Sequence, residues 1–233
     1  MRLPHPLIPG TLIRRYQRFL ADVQLPDGEV VTAHCPNSGS MRGCNAPGSR
    51  VLLSESPNPN RKLRYTWELV EADGRWVGIN TGLPNKLVRE AIENGTISEL
   101  QGYEVIRPEV PYGDHSRIDL LLEGKMGRCW VEVKNVTLVE DGVALFPDAV
   151  TTRGQKHLRE LMAVANNGER GVIFFVVQHG GGNAVAPADV IDPEYGRLLL
   201  LAVAKGVVAL AYLAEVTAEE VKLVRRLPVA IQR

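Results

Sequence analysis

Gly171 to Gln178, "GVIFFVVQ", is an apolar run without a polar break, too short to span a membrane and without the alternation of a strand that keeps one face wet. Such a strand has to be covered on both faces. Its neighbours offer the cover. "TRGQKHLRELMAVANNG" from Thr152 precedes it with helical spacing, and "PEYGRLLLLAVAKG" from Pro193, then "VVALAYLAEV" from Val207, follow it. Strand, helix and strand in that order predict a mixed sheet with helices on both sides, an α/β domain. The longest apolar run, "LLLLAVAKGVVALAYLA" from Leu198, is interrupted by Lys205-Gly206 and reads as a helix end followed by a core strand rather than a membrane span.

The first part of the chain has another rhythm. "TLIRRYQRFLADVQL", "EVVTAHC", "SRVLLSESP", "RKLRYTWELVEADG" and "RWVGIN" are strand-like stretches separated by Gly, Pro, Asn and Ser, without a long helix. They predict a small all-β barrel, with a five-stranded OB-like barrel and an SH3-like one both compatible. The pattern changes after "NTGLPN". "NKLVREAIENG" reads as a helix with Asn85 as N-cap, apolar Leu87, Val88, Ala91 and Ile92 on one face, and Gly95 as its stop. The expected organisation is a barrel over residues 1–81 and an α/β domain over 82–233.

Charge excludes little. Lys plus Arg total 27 and Asp plus Glu total 27, so no global positive field draws in nucleic acid, and any such binding must come from local clusters. Three cysteines, Cys35, Cys44 and Cys129, close no disulfide framework, and no signal peptide is recognised, so a cytoplasmic, non-membrane protein is expected.

One stretch carries charge where surface residues would suffice. "RIDLLLEGKMGRCWVEVKN", Arg117 to Asn135, reads as two strands with Ile118, Leu120 and Leu122 on one side of the first and Cys129, Val131 and Val133 on one side of the second. A connection over Gly124 to Gly127 makes Glu123 face Arg128. The same ladder sets Asp119 opposite Glu132 and Arg117 opposite Lys134. Carboxylates roughly 4.5–5.5 Å apart repel by about 3 kcal/mol at an effective dielectric near 20. A hard dication such as Mg²⁺ removes that cost; neutralisation by Arg117 and Lys134 on an ordinary surface ladder is the other reading.

Further clusters suit nucleic acid. Arg14, Tyr16 and Arg18 fall on one side of a strand, and Arg61, Lys62, Arg64 and Tyr65 form a second basic-aromatic group, compatible with phosphate contacts and base stacking or with an exposed soluble face. Arg153, Lys156, His157 and Arg159 gather at a helix start whose amides favour a phosphate, above Leu158, Leu161 and Met162. "HCPNSGSMRGC" lacks the ligand spacing for zinc and reads as a turn-rich loop in which Gly39, Ser40 and free amides could cradle an anion.

Asp119 followed by Glu132-x-Lys134 on a hairpin, with an α/β element after it, resembles the core of the PD-(D/E)xK nuclease superfamily, although Ile118 stands where a proline usually precedes the first acid. That resemblance implies that Asp119, Glu132 and the Val133 backbone carbonyl hold Mg²⁺ or Mn²⁺. Lys134 would orient the attacking water or stabilise charge on the phosphate, Glu90 on the preceding helix is a further ligand, and Gln155 assists. Over nearly the whole chain, "AHCPNSGSMRGC", "RKLRYTWELVE", "NTGLPNKLVREAI", "RIDLLL", "VEVKNVTL" and "FPDAVTTRGQKHLREL" together resemble the sugar fermentation stimulation protein (SfsA) family, with Ser38 where the family generally has threonine. The resemblance implies an N-terminal OB-fold, a C-terminal nuclease-like α/β domain, DNA binding through the backbone and a regulatory link to maltose use. Three functions fit these residues: a metal-dependent DNA phosphodiester hydrolase, a non-catalytic DNA-binding regulator of sugar utilisation, and a sensor of an anionic small molecule.

Overall fold

The computed structural model describes residues 1–113 and 116–231. The first half is six strands: β1 (Ile8–Tyr16), β2 (Leu20–Gln24), β3 (Val30–His34), β4 (Arg50–Glu55), β5 (Tyr65–Ala72) and β6 (Arg75–Gly78). β1 pairs with β2 and β4, and a short parallel pairing of β3 with β5 closes strands one to five into a barrel. Leu12, Val23, Val51, Leu53 and Trp67 fill it. The segment "TLIRRYQRFLADVQL" is two strands rather than one, because Gln17 and Arg18 adopt φ of 49° and 65° and turn the chain back on itself. Arg18 thus leaves the strand that carries Arg14 and Tyr16.

The second half opens with α1 (Pro84–Glu93), followed by β7 (Val105–Tyr112), β8 (Ser116–Gly124) and β9 (Gly127–Val136). A small sheet contains β10 (Leu138–Glu140), β11 (Val143–Phe146) and, after α2 (Thr152–Asn166) and β12 (Arg170–Val177), β13 (Ala184–Pro187). Then come α3 (Pro193–Ala204), β14 (Val208–Val216) and β15 (Val221–Leu227). The large sheet runs β15-β14-β12-β9-β8-β7, with β12 parallel to both β9 and β14. β12, the apolar run, is buried on both faces as its composition requires. Val172, Phe174 and Val176 pack with α1, while Ile173, Phe175 and Val177 pack with α2 and α3. Burying side chains of this size is worth about 1.5–3 kcal/mol each. Leu52 and Leu69 of the barrel join the α1 core, so α1 is wedged between the two halves.

Two local expectations change. The helix N-cap is Leu83 with Pro84 in the first turn, so Asn85 lies inside α1 and its side chain is released from capping. In β8 the alternation breaks at Asp119: Leu120 and Leu122 face the α1 core, but Ile118 faces the α2 core. Opposite that point Glu109 adopts φ 54°, and the β7–β8 ladder skips from Pro108–Leu120 to Val110–Ile118. Among the described residues no helix is long and apolar enough to cross a membrane.

Candidate functional site

The hairpin register is set at its turn, where Glu123 faces Arg128. Continued along the ladder it brings Asp119 level with Glu132, but the last bridge is Leu120–Val131. Beyond it the Asp119 carboxylate takes over the ladder's role: Oδ2 accepts the Val133 N–H at 2.7 Å, and Oδ1 accepts the Asn85 amide at 2.8 Å. Both acids line one cavity of about 310 Å³ at the carboxyl end of β9, beside the start of α2. In open α/β sheets ligands bind at this end of the parallel strands.

Glu132 is buried and faces α2. Its Oε1 accepts from Lys134 Nζ at 2.7 Å and lies in contact with His157 Nδ1. Arg153 Nε donates to His157 Nε2 at 3.4 Å, which leaves the ring proton on Nδ1, facing the carboxylate. Among the described residues Glu132 Oε2 is buried with no hydrogen-bond partner, as is the Tyr195 hydroxyl. Burial raises the pKa of Glu132, but the Lys134 charge and the His157 hydrogen bond outweigh it and hold the carboxyl below the usual range. Asp119 moves the other way. Burial and then the Glu132 charge push it up, against the Val133 N–H, the Asn85 amide and Lys134. Burial, and next the Glu132 charge, push the Tyr112 and Tyr195 phenols up as well, so both stay protonated.

The donors suit a hard dication. Two carboxylates and a backbone carbonyl are donors of the kind such an ion takes, few enough to leave positions for water or phosphate oxygens, and among the described residues no cluster of three or more His, Cys, Asp or Glu side chains forms. Arg117 does not neutralise the two acids, since it is exposed and donates to the Glu109 carbonyl at 3.3 Å. The surface-ladder reading therefore loses its arginine.

Other predicted site residues are dispersed. Glu90 points off the far side of α1 and pairs with the Met1 ammonium at 3.0 Å, so it does not reach the acids; from the same helix it is Asn85 that does. Gln155 donates to Asp192 at 3.0 Å, the residue that also caps α3, and does not line the cavity. Arg153 is at the cavity wall, whereas Lys156 lies 3.7 Å from Glu160. Arg14 is tied to Asp22 at 2.8 Å and stacked over Tyr16, and Arg64 is tied to Glu55 and stacked over Tyr65. Arg61 and Lys62 sit exposed in the loop before β5, which begins only at Tyr65.

Spacing missed the contribution of the barrel. Asn37, Ser38 and Gly39 roof the cavity, and Asp148 lies between roof and α2. The loop is not an open anion cradle, because its Gly39 N–H is taken by Asn37 Oδ1 at 2.8 Å and its Met41 N–H by Asp148 Oδ2 at 2.8 Å. His157, read from the sequence as part of the basic cluster at the start of α2, has a different place. A lone histidine carries no ligand signal, and only its burial against Glu132 and Lys134 gives it a role.

Comparison with known proteins gives one family over most of the chain. The model described as "SfsA N-terminal OB domain" matches residues 13–79, and that described as "Sugar fermentation stimulation protein RE domain" matches 82–220. A sugar fermentation stimulation protein homolog of Geobacter metallireducens is 75% identical over 99% of this chain and 100% of its own length. One from Geobacter sulfurreducens is 75% identical over 98% of each chain. Among solved structures, Pyrococcus furiosus SfsA in complex with Ca²⁺ superposes with a TM-score of 0.91 at 30% identity, covering 99% of this chain and 98% of that one.

Proposed function

The chain belongs to the sugar fermentation stimulation protein (SfsA) family, and from that premise we propose that it is a divalent-metal-dependent phosphodiester hydrolase acting on DNA, with a nuclease-like centre at Asp119, Glu132 and Lys134. The observation that carries this reading is that Glu132, buried and with one oxygen partnerless among the described residues, lines a polar cavity together with a second acid and an ammonium. Buried groups left so costly to stability are characteristic of chemistry rather than packing. Asp119, Glu132 and the Val133 carbonyl would hold Mg²⁺ or Mn²⁺, a choice supported by the Ca²⁺ complex of the Pyrococcus relative. Such an ion supplies Lewis-acid stabilisation of a phosphoryl oxygen and makes water a usable nucleophile near neutral pH.

The protein's own groups do the rest. Asn85 and the Val133 N–H hold Asp119 in one orientation. Glu132, itself held by the His157 ring, keeps the Lys134 ammonium at the cavity wall, where it stabilises charge developing on the phosphate or orients the attacking water. Arg153 adds a second cation at the rim for the nucleic-acid backbone.

Asp119→Asn and Glu132→Gln are expected to abolish Mg²⁺- or Mn²⁺-dependent cleavage while leaving DNA binding intact or stronger. Wild type and both variants would be compared on single-stranded, duplex and branched DNA. Equal cleavage by all three proteins would defeat the proposal. A non-catalytic regulator gains nothing from acids placed where phosphates approach.

A further inference from the structure

The acids form the floor of a cavity whose roof comes from the other half of the chain, and that roof is fastened on several sides. Arg15 donates to the carbonyls of Arg18, Asn37 and Gly39 at 2.9, 2.8 and 2.8 Å. Ser40 Oγ donates to the Asp148 carbonyl at 2.7 Å, the Met41 N–H to Asp148 Oδ2 at 2.8 Å, and Thr81 Oγ1 to the Pro36 carbonyl at 2.6 Å. A loop bonded to the barrel, to the segment before α1 and to the segment before α2 does not swing aside cheaply. The acids are therefore approached along the groove beneath it.

A second cavity of about 540 Å³ shares Ser38, Gly39, Phe146, Asp148 and Arg153 with the first and reaches Arg18 at the β1–β2 turn. Arg15 is spent inward on carbonyls. Arg18 is exposed and its side chain has no hydrogen-bond or ionic partner among the described residues. Val150, 67% exposed, lines the same cavity, and Phe19, 51% exposed, follows Arg18 at the turn. Cations spaced along adjoining cavities, with Val150 in the lining and an exposed aromatic residue next to Arg18 in sequence, are the chemistry that holds an unpaired strand, phosphates on the arginines and bases on the apolar groups.

Resting on the hydrolase reading above, we propose that the nucleic acid reaching the acids is an unpaired strand, threaded between barrel and α/β domain past Arg18 and Arg153, and that an intact duplex is excluded. A roofed space of about 310 Å³ matches pockets that take one small-ligand-sized group. A phosphodiester lies on the outside of a duplex, so selection here comes from width: a duplex must bring its partner strand under the fastened loop, whereas an unpaired strand brings only its own sugars and bases.

The test uses the full chain carrying Asp119→Asn, so that binding is read without cleavage. One labelled oligonucleotide is presented as a single strand, as a duplex with an overhang and as a blunt hairpin duplex, and anisotropy is followed across a salt series. The single strand and the overhang are expected to bind roughly tenfold more tightly than the blunt duplex. Adding Arg18→Asn, a residue that tolerates the left-handed turn, is expected to lower the single-strand log–log salt slope by about 0.7, one phosphate contact; Arg153→Gln does the same. In parallel, wild type with Mn²⁺ is expected to cut the single strand and leave a covalently closed duplex circle intact. Equal binding of single strand and blunt duplex, an unchanged slope in both arginine variants, or equally fast cutting of the closed circle would overturn the strand path. Cleavage of every form insensitive to Glu132→Gln would instead remove the hydrolase reading and leave the strand path standing on the binding data.

Discussion

The β8–β9 ribbon carries carboxylates at both ends and treats them oppositely. At the turn, Glu123 is partly exposed and meets Arg107 at 3.2 Å and Arg128 at 3.3 Å. At the open end, Glu132 has 3% of its side chain exposed, one ammonium at 2.7 Å, a histidine, and an oxygen with no partner among the described residues, while Asp119 is pushed toward its neutral form. The first arrangement is solvated and nearly neutral for stability. The second is costly, because desolvation of buried charges is repaid only when every lone pair is satisfied. One hairpin therefore contains an inert ion cluster and an unfinished one, and the unfinished one lies where the parallel strands end.

The largest expected difference between the two ends is in activity. Glu132→Gln lowers metal-dependent cleavage by at least about 10²-fold, whereas Glu123→Gln leaves it unchanged; initial rates on one DNA substrate measure both, and matched losses would erase the contrast. Stability comes next. Lys134→Met strands the buried Glu132 carboxylate and is expected to cost about 3–5 kcal/mol in urea unfolding, against less than about 0.5 kcal/mol for Arg128→Met beside Glu123. Asp119→Asn tests the other acid. Because burial and the Glu132 charge raise the folded carboxyl above its unfolded value, its ionised form destabilises the protein at neutral pH. The variant removes that repulsion but has one acceptor oxygen where Asp119 accepts from both Val133 and Asn85, so its midpoint is expected to lie within about 2–4 °C of wild type at neutral pH and to fall less than that of wild type as pH rises from mildly acidic to neutral; parallel profiles in thermal melts would contradict the raised carboxyl.

The smallest effect lies away from the ribbon, where His179 joins the barrel to the sheet through a bridge to Val77. Burial depresses its pKa below 6.5, opposed in part by Asp73, while Nδ1 accepts the Gly181 N–H at 3.1 Å. The unfolded chain takes up this proton first as pH falls. The contribution is thus whole above about 6.5 and is lost as pH drops below that value. His179→Asn should flatten the stability profile between neutral and mildly acidic pH; an unchanged slope would mean that the junction does not sense protonation.

How far the site could be read ahead of the fold depended on distance along the chain. Asp119, Glu132, Val133 and Lys134 lie on one hairpin, and counting back from the glycines of its turn gives their register. Glu90 and Gln155 belong to helices whose rotation about their own axes is set by packing. α1 turned out to present Asn85 to Asp119 and Glu90 to Met1, while Gln155 was drawn to the Asp192 cap of α3. The break in alternation at Asp119 was invisible because it originates across the sheet, where Glu109 takes a left-handed conformation.

From its order of residues alone the chain determined a doubly covered strand, a barrel-like first half and a hairpin bearing two acids and a lysine, since side-chain periodicity is a property of local backbone geometry. Only the tertiary structure decided that a barrel loop roofs those acids, that His157 and Arg153 join them from α2, and that Glu90 stands apart. Those outcomes rest on segments far apart in sequence being pressed together by shared cores, a balance of packing energies that no local spacing records.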